Sequence, residues 1–276
     1  MTESMRRDRV RQLVVTASAV FMIIGTLFGI GVFGTRVEEA SGGSLSATAT
    51  LLAPAVRAFS IWSVIYTGLI AYVVWQWLPT KAASARARAI GWLASASMIL
   101  NATWLLVTQV GWLWVSVVVI GALVVTLGLL MQRLTATRAP GLGERIVVDG
   151  TFGLYLGWAS VATAANITAT LVASGVDPGG LTAELIAVAV IAVAAGIGVV
   201  LARVLNGRIG VAAAMAWGLF WIAVGRLTGE PASTITGVAA ALAAVVVVAA
   251  AALVRTRRGS VRPLPTRTLA PARVRA

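Results

Sequence analysis

The strongest constraint on this chain is a recurring apolar run, at 13–33, 58–78, 89–109, 112–131, 150–173, 184–204, 209–226 and 234–254. Each run holds roughly 18–24 residues, which at about 1.5 Å per residue is enough helix to cross a hydrocarbon core of about 30 Å. The expected fold is therefore all-α: a polytopic membrane helix bundle of about eight transmembrane helices. Composition agrees. The chain is 59% hydrophobic and 11% charged, with mean hydropathy +0.93, whereas a soluble domain carries about a quarter charged residues.

Charge placement gives the topology. With the N-terminus in the cytoplasm, the inner segments hold Arg6, Arg7, Arg9 and Arg11, then Lys81, Arg86 and Arg88, then Arg133, Arg138 and Arg145, then Arg203 and Arg208. The tail adds Arg255, Arg257, Arg258, Arg262, Arg267, Arg273 and Arg275. Of the 22 basic residues only Arg36, Arg57 and Arg226 fall outside, as the positive-inside rule requires. Both termini are expected in the cytoplasm, in a bacterial cytoplasmic membrane. Residues 1–33 are expected to be an uncleaved first helix, because the apolar run is longer than a signal peptide's and no small-residue cleavage site follows it directly. The Arg- and Pro-rich segment 255–276 is expected to be a disordered basic cytoplasmic tail that anchors topology on anionic lipid.

Several function classes are excluded or disfavoured. The net charge of +13 lies at the mouths of apolar runs and in the tail, with no basic face carrying interleaved aromatics, so nucleic acid is not an expected partner. With no His and no Cys, zinc sites, thiol nucleophiles, disulfides and haem ligation by those residues are ruled out, and no metal or cofactor is expected. The single lysine, Lys81, lies in a polar connection, so a Schiff base inside the bundle is excluded. Arg57, Asp149, Glu184, Arg203 and Arg226 are expected at helix ends, reaching water. No span holds a charge near mid-membrane, which disfavours ion-coupled transport and acid–base catalysis.

The spans do hold aromatic and amide residues at helical spacing. Phe59, Trp62 and Tyr66 form one stripe, Ser97, Asn101, Trp104 and Thr108 a second, and Tyr155, Trp158, Ala162 and Asn166 a third. An Asn in hydrocarbon needs a hydrogen-bond partner, so both amides should face inward. Three such stripes around one interior suit a flat hydrophobic ligand. Trp and Asn also serve as helix glue, and periodicity alone does not separate the two. Trp75, Trp77, Trp112 and Trp114 are expected in the interfacial belts, and Trp217 with Trp221 as a packing pair. The pairs Gly25/Gly29 and Gly153/Gly157 permit close helix approach, within a protomer or between two. The long outer connection 34–57 is either a lid or a spacer.

At these stripes the sequence resembles the tryptophan-rich sensory protein / translocator protein (TspO/MBR) family. Trp62-Ser-Val-Ile-Tyr66 fits that family's second helix, Leu100-Asn101-Ala-Thr-Trp104 its third, and Tyr155-Leu156-Gly-Trp158 with Ala162 and Asn166 its fifth. The similarity covers roughly 13–174. Phe59 stands three residues before Trp62 where the family usually has four, Leu154 replaces a proline, and the family's Trp- and Pro-rich first loop has no counterpart beyond Pro54. The resemblance implies a five-helix membrane bundle over 1–176, followed by accessory transmembrane helices over 177–254. It also implies a receptor, sensor or carrier binding a porphyrin-, sterol- or isoprenoid-like molecule, often as a dimer. The ligand-binding residues would be Phe59, Trp62, Tyr66, Asn101, Trp104, Tyr155, Trp158, Ala162 and Asn166. Porphyrin breakdown has been proposed for the family, but no enzyme activity is expected here. The competing expectation is an uncoupled permease for a neutral or hydrophobic solute.

Overall fold

The computed structural model describes residues 3–137 and 139–259. Among the described residues, eight helices are long and apolar enough to cross a membrane. They are α1 (Glu3–Gly29), α2 (Val56–Trp77), α3 (Ala85–Gln109), α4 (Leu113–Ala136), α5 (Leu142–Ala173), α6 (Gly180–Val204), α7 (Ile209–Thr228) and α8 (Thr234–Gly259). Among the described residues there is no strand. The disordered tail expected from 255 is corrected at its start, because 255–259 continue α8 as helix; from 260 onward it lies outside the described residues.

Local chemistry sets the boundaries. Ser84 caps α3 by accepting the Ala87 amide at 3.1 Å. Gly111, at φ +77°, breaks α3 from α4 in the left-handed region that favours glycine. α1 starts ten residues earlier than its apolar run, because its polar first turns find partners: Arg11 pairs with Asp8 at 2.8 Å and Gln12 donates to the Gln76 carbonyl at 2.7 Å. α5 likewise begins before its apolar run, through a π-helical turn over Arg145–Gly150.

Helices α1 to α5 close a ring, with α1 beside α2 and α3, α4 between α3 and α5, and α5 back against α2. α7 packs on the other side of α5, α8 on α7, and α6 on α8. The small-residue pairs work within the chain. A Cβ on Gly25 would sit 2.9 Å from the Ala102 Cα of α3, and one on Gly157 2.3 Å from the Val211 carbonyl oxygen of α7. Outward faces carry apolar side chains such as Val118, Val125 and Val245, each exposed. Lipid is the solvent those faces require, and the protein is an integral membrane protein.

Two expectations about charge need correction. Asp149 and Arg226 do not reach water; they are 5% and 2% exposed. At the end of the bundle that carries the N-terminus, Arg86 Nη2 donates to both Asp149 carboxylate oxygens at 2.9 Å, and Asp149 is also paired with Arg208. Glu144 pairs with Arg86 at 2.9 Å and Lys81 at 3.0 Å. This cluster joins α3, α5 and the start of α7, and burial without such pairing would cost several kcal/mol per ion, roughly. Trp75 is not a belt residue either. It is buried and stacked on Tyr72, with ring centroids 5.8 Å apart. Trp112 and Trp114 are exposed as a belt position requires.

Candidate functional site

The three stripes meet inside the five-helix ring, in its half away from the N-terminus. α2 opens with a 3-10 turn over Val56–Ser60, where residues three apart eclipse. That geometry brings Phe59 onto the same face as Trp62 despite the three-residue step. Both rings meet Trp158 of α5 edge-on, at centroid distances of 5.8 and 6.1 Å. Trp62 stacks on Tyr66 at 5.1 Å and meets Tyr155 edge-on at 5.9 Å.

Polar atoms are placed as strictly as rings. Tyr66 donates its hydroxyl to Asn101 Oδ1 at 3.1 Å, and Tyr155 donates to the Ser97 carbonyl at 3.1 Å. Trp104 donates to Asn166 Oδ1 at 3.2 Å, while Asn166 Nδ2 donates to Ser116 Oγ at 2.9 Å. Ser116 lies on α4, so these bonds bind three helices around one point. Within these stripes, Asn101 Nδ2 and Trp158 Nε1 are buried donors with no protein partner.

These side chains line two small volumes. One, of about 20 Å³, is lined by Phe59, Trp62, Asn101, Trp104, Trp158 and Ala162, and has room for about one water. The other, of about 50 Å³, shares Phe59, Trp104, Trp158 and Ala162, adds Asn166, and is roofed by Val37, Leu45, Thr50 and Pro54 of the outer connection. That connection is therefore a cover over the interior. Tyr66 and Tyr155 line neither volume; they buttress Trp62 from behind.

Sequence reasoning missed the groups that hold the cover. Arg226, near the end of α7, donates to the carbonyls of Thr50 at 3.1 Å, Ala47 at 2.9 Å and Glu230 at 3.1 Å. Ser41 Oγ donates to the Thr108 carbonyl at 2.7 Å. Trp217, expected only to pack, donates to the Ala58 carbonyl at 2.9 Å and so ties α7 to the start of α2. An arginine closing an apolar span was the available signal for the first of these.

A family model described as TSPO-like protein matches residues 11–252, a span that runs through all eight helices. No curated protein and no solved structure matches the chain significantly.

Proposed function

The chain belongs to the TSPO-like family, membrane-embedded proteins of a ligand-binding and sensor type, and we propose that it binds one flat hydrophobic molecule, porphyrin- or sterol-like, inside the ring of α1 to α5. The observation that carries this reading is the aromatic cage of Phe59, Trp62, Trp104 and Trp158 with two unpartnered donors among its lining side chains. Rings supply flat apolar contact, and Asn101 Nδ2 and Trp158 Nε1 can each donate to an acceptor on the ligand. A buried donor left unpaired costs about 1–3 kcal/mol, which an acceptor would recover. The two volumes are far below the roughly 300–1,000 Å³ of a drug-sized site, so binding opens the cage and lifts the cover.

The reading favours binding over turnover, because the lining groups are rings, amides and hydroxyls that do not titrate near neutrality. It also favours binding over passage. Beyond Tyr66 and Tyr155, towards the N-terminal end, the ring is filled by Leu69, Tyr72 and Phe152, each fully buried. A bacterial cytoplasmic membrane, cytoplasmic termini and a homodimer complete the proposal.

The test is titration of the purified protein in nanodiscs with protoporphyrin IX and with dehydroergosterol, read by tryptophan fluorescence. Saturable quenching by either at about one molecule per chain supports the reading; only linear, partition-like quenching by both removes it. Since the chain has no cysteine, single Cys substitutions at Ser46 and Ser84 report orientation. Ser46 should label from outside the cell and Ser84 should not.

A further inference from the structure

A second, larger volume lies outside the ring. α6 is held mainly by α8 and touches α5 sparingly, so a groove of about 910 Å³ remains between α5 and α6. Ala164 and Ile167 of α5 form one wall and Val190 and Val193 of α6 the other, with Thr50 and Leu52 of the cover across one end. The groove lies in the same half of the membrane as the aromatic cage.

Its polar chemistry is sparse. Ser160, Thr163 and Thr168 line it, but each hydroxyl donates to its own helix's carbonyl four residues back, at 2.8, 2.7 and 3.0 Å. Thr50 differs: it is 5% exposed and its Oγ1 has no hydrogen-bond partner. Thr50 is also the residue that lines both the groove and the larger of the caged volumes. Helix α5 separates the two volumes, with Ser160, Thr163 and Ala164 on the groove side and Val161, Ala162 and Ala165 on the cage side, and at Thr50 the partition is a short stretch of loop with a buried, unpaired hydroxyl. That stretch is pinned through its carbonyls by Arg226. The three additional helices thus build both the far wall of the groove and the clasp on the wall between groove and cage.

We propose that the groove between α5 and α6 is the lateral route by which the ligand reaches the aromatic cage. A rigid apolar molecule with one neutral polar group enters from the bilayer and passes Thr50. The proposal rests on the binding reading above. Three features carry it. The volume matches one such molecule, in the range of roughly 300–1,000 Å³ typical of small-molecule sites. The Thr50 hydroxyl gives the polar group a partner at the point of passage. Asp177 and Glu184 at the loop end of the groove disfavour an anionic head group, which is why a sterol alcohol is the probe of choice.

The experiment is stopped-flow energy transfer from tryptophan to dehydroergosterol, with the full chain in nanodiscs. Ala164→Trp and Val190→Trp fill the groove from opposite walls; Val125→Trp, on the lipid face of α4, is the control. Thr50→Gly removes the dividing side chain without adding bulk. Each groove filler should slow association and dissociation about tenfold while Kd stays within about twofold, because a blocked route raises a barrier and leaves the end state alone. Thr50→Gly should speed both rates, and Val125→Trp should change neither. Unchanged rates in both fillers would overturn the route, with binding intact. A filler that lowers stoichiometry or weakens Kd without slowing exchange would make the groove a terminal site and also overturn it. Absence of saturable binding in the unaltered chain would instead remove the binding reading, and the route with it.

Discussion

Trp104 of α3 donates its indole N–H to Asn166 of α5 at 3.2 Å, and the same amide donates to Ser116 of α4 at 2.9 Å. One carboxamide therefore fixes a ring that lines the cage and ties together three of the five helices that surround it. In lipid the unfolded alternatives also find partners, so such a bond contributes moderately to stability, about 0.6 kcal/mol on average. Its larger effect is to hold the Trp104 ring in one orientation.

Asn166→Ala leaves the Trp104 N–H buried and without an acceptor. The expected loss is about 1–3 kcal/mol, the cost of an unsatisfied buried donor, seen as a lower melting temperature in the absence of any ligand. An unchanged melting temperature would mean that the indole finds another acceptor and that Asn166 does not organise the cage.

Trp62, Trp104 and Trp158 each offer a ring to the ligand. Replacing any one with Leu keeps the site apolar and should weaken dehydroergosterol or protoporphyrin binding about 3- to 10-fold, at about 0.5–1.5 kcal/mol per aromatic contact. Trp112→Leu and Trp114→Leu, both at exposed positions, should leave affinity as it is. Trp75 is unsuitable as a control, because it packs on Tyr72 in the core and its loss should cost stability. Equal affinity across all five variants would show that the stripes only hold helices together.

Much of this was legible in the sequence, for identifiable reasons. Apolar run length is dictated by bilayer thickness, so eight helices could be read from hydropathy alone. Stripes at steps of three and four placed Trp62, Asn101 and Trp158 on facing sides, since helix periodicity leaves little freedom. Tertiary partners were not legible. Asp149 reads as a helix-end carboxylate beside Gly150, and only the fold shows Arg86 and Arg208 arriving from elsewhere in the bundle. The role of 34–57 was open for the same reason: its cover function depends on Arg226, more than 170 residues away from Thr50. The groove depends on how far α6 stands from α5, which no residue pattern encodes.

Asp149→Asn tests the buried charge cluster. The substitution keeps the shape but removes the charge that faces Arg86 and Arg208, so two guanidinium groups lose their shared counter-ion. Breaking a buried pair of this kind costs about 3–5 kcal/mol, and the loss should persist at high salt because buried pairs are poorly screened. Glu3→Gln, which breaks the exposed Glu3–Arg7 pair, should have no measurable effect on thermal unfolding. Similar behaviour of the two variants would show that the cluster is hydrated.

Gly157→Ala tests whether α7 and the helices packed on it are structurally part of the site. A Cβ at this position would lie 2.3 Å from the Val211 carbonyl oxygen and 2.9 Å from the Ala214 Cβ, so α7 must shift away from α5. Overpacking of this kind costs about 1–3 kcal/mol. Gly121→Ala on α4 is the matched control: nothing lies within 4 Å of its Cβ, and in a helix interior Ala is favoured over Gly by up to about 1 kcal/mol. The shift has a second consequence, because α7 also carries Arg226, which holds the carbonyls of Ala47 and Thr50. Displacing α7 should loosen that clasp, so amide hydrogen exchange over 44–54 should accelerate in Gly157→Ala and stay unchanged in Gly121→Ala. If Gly157→Ala lowers the melting temperature while exchange over 44–54 is unaltered, the cover is held by the ring itself, and α7 supports the site without controlling it.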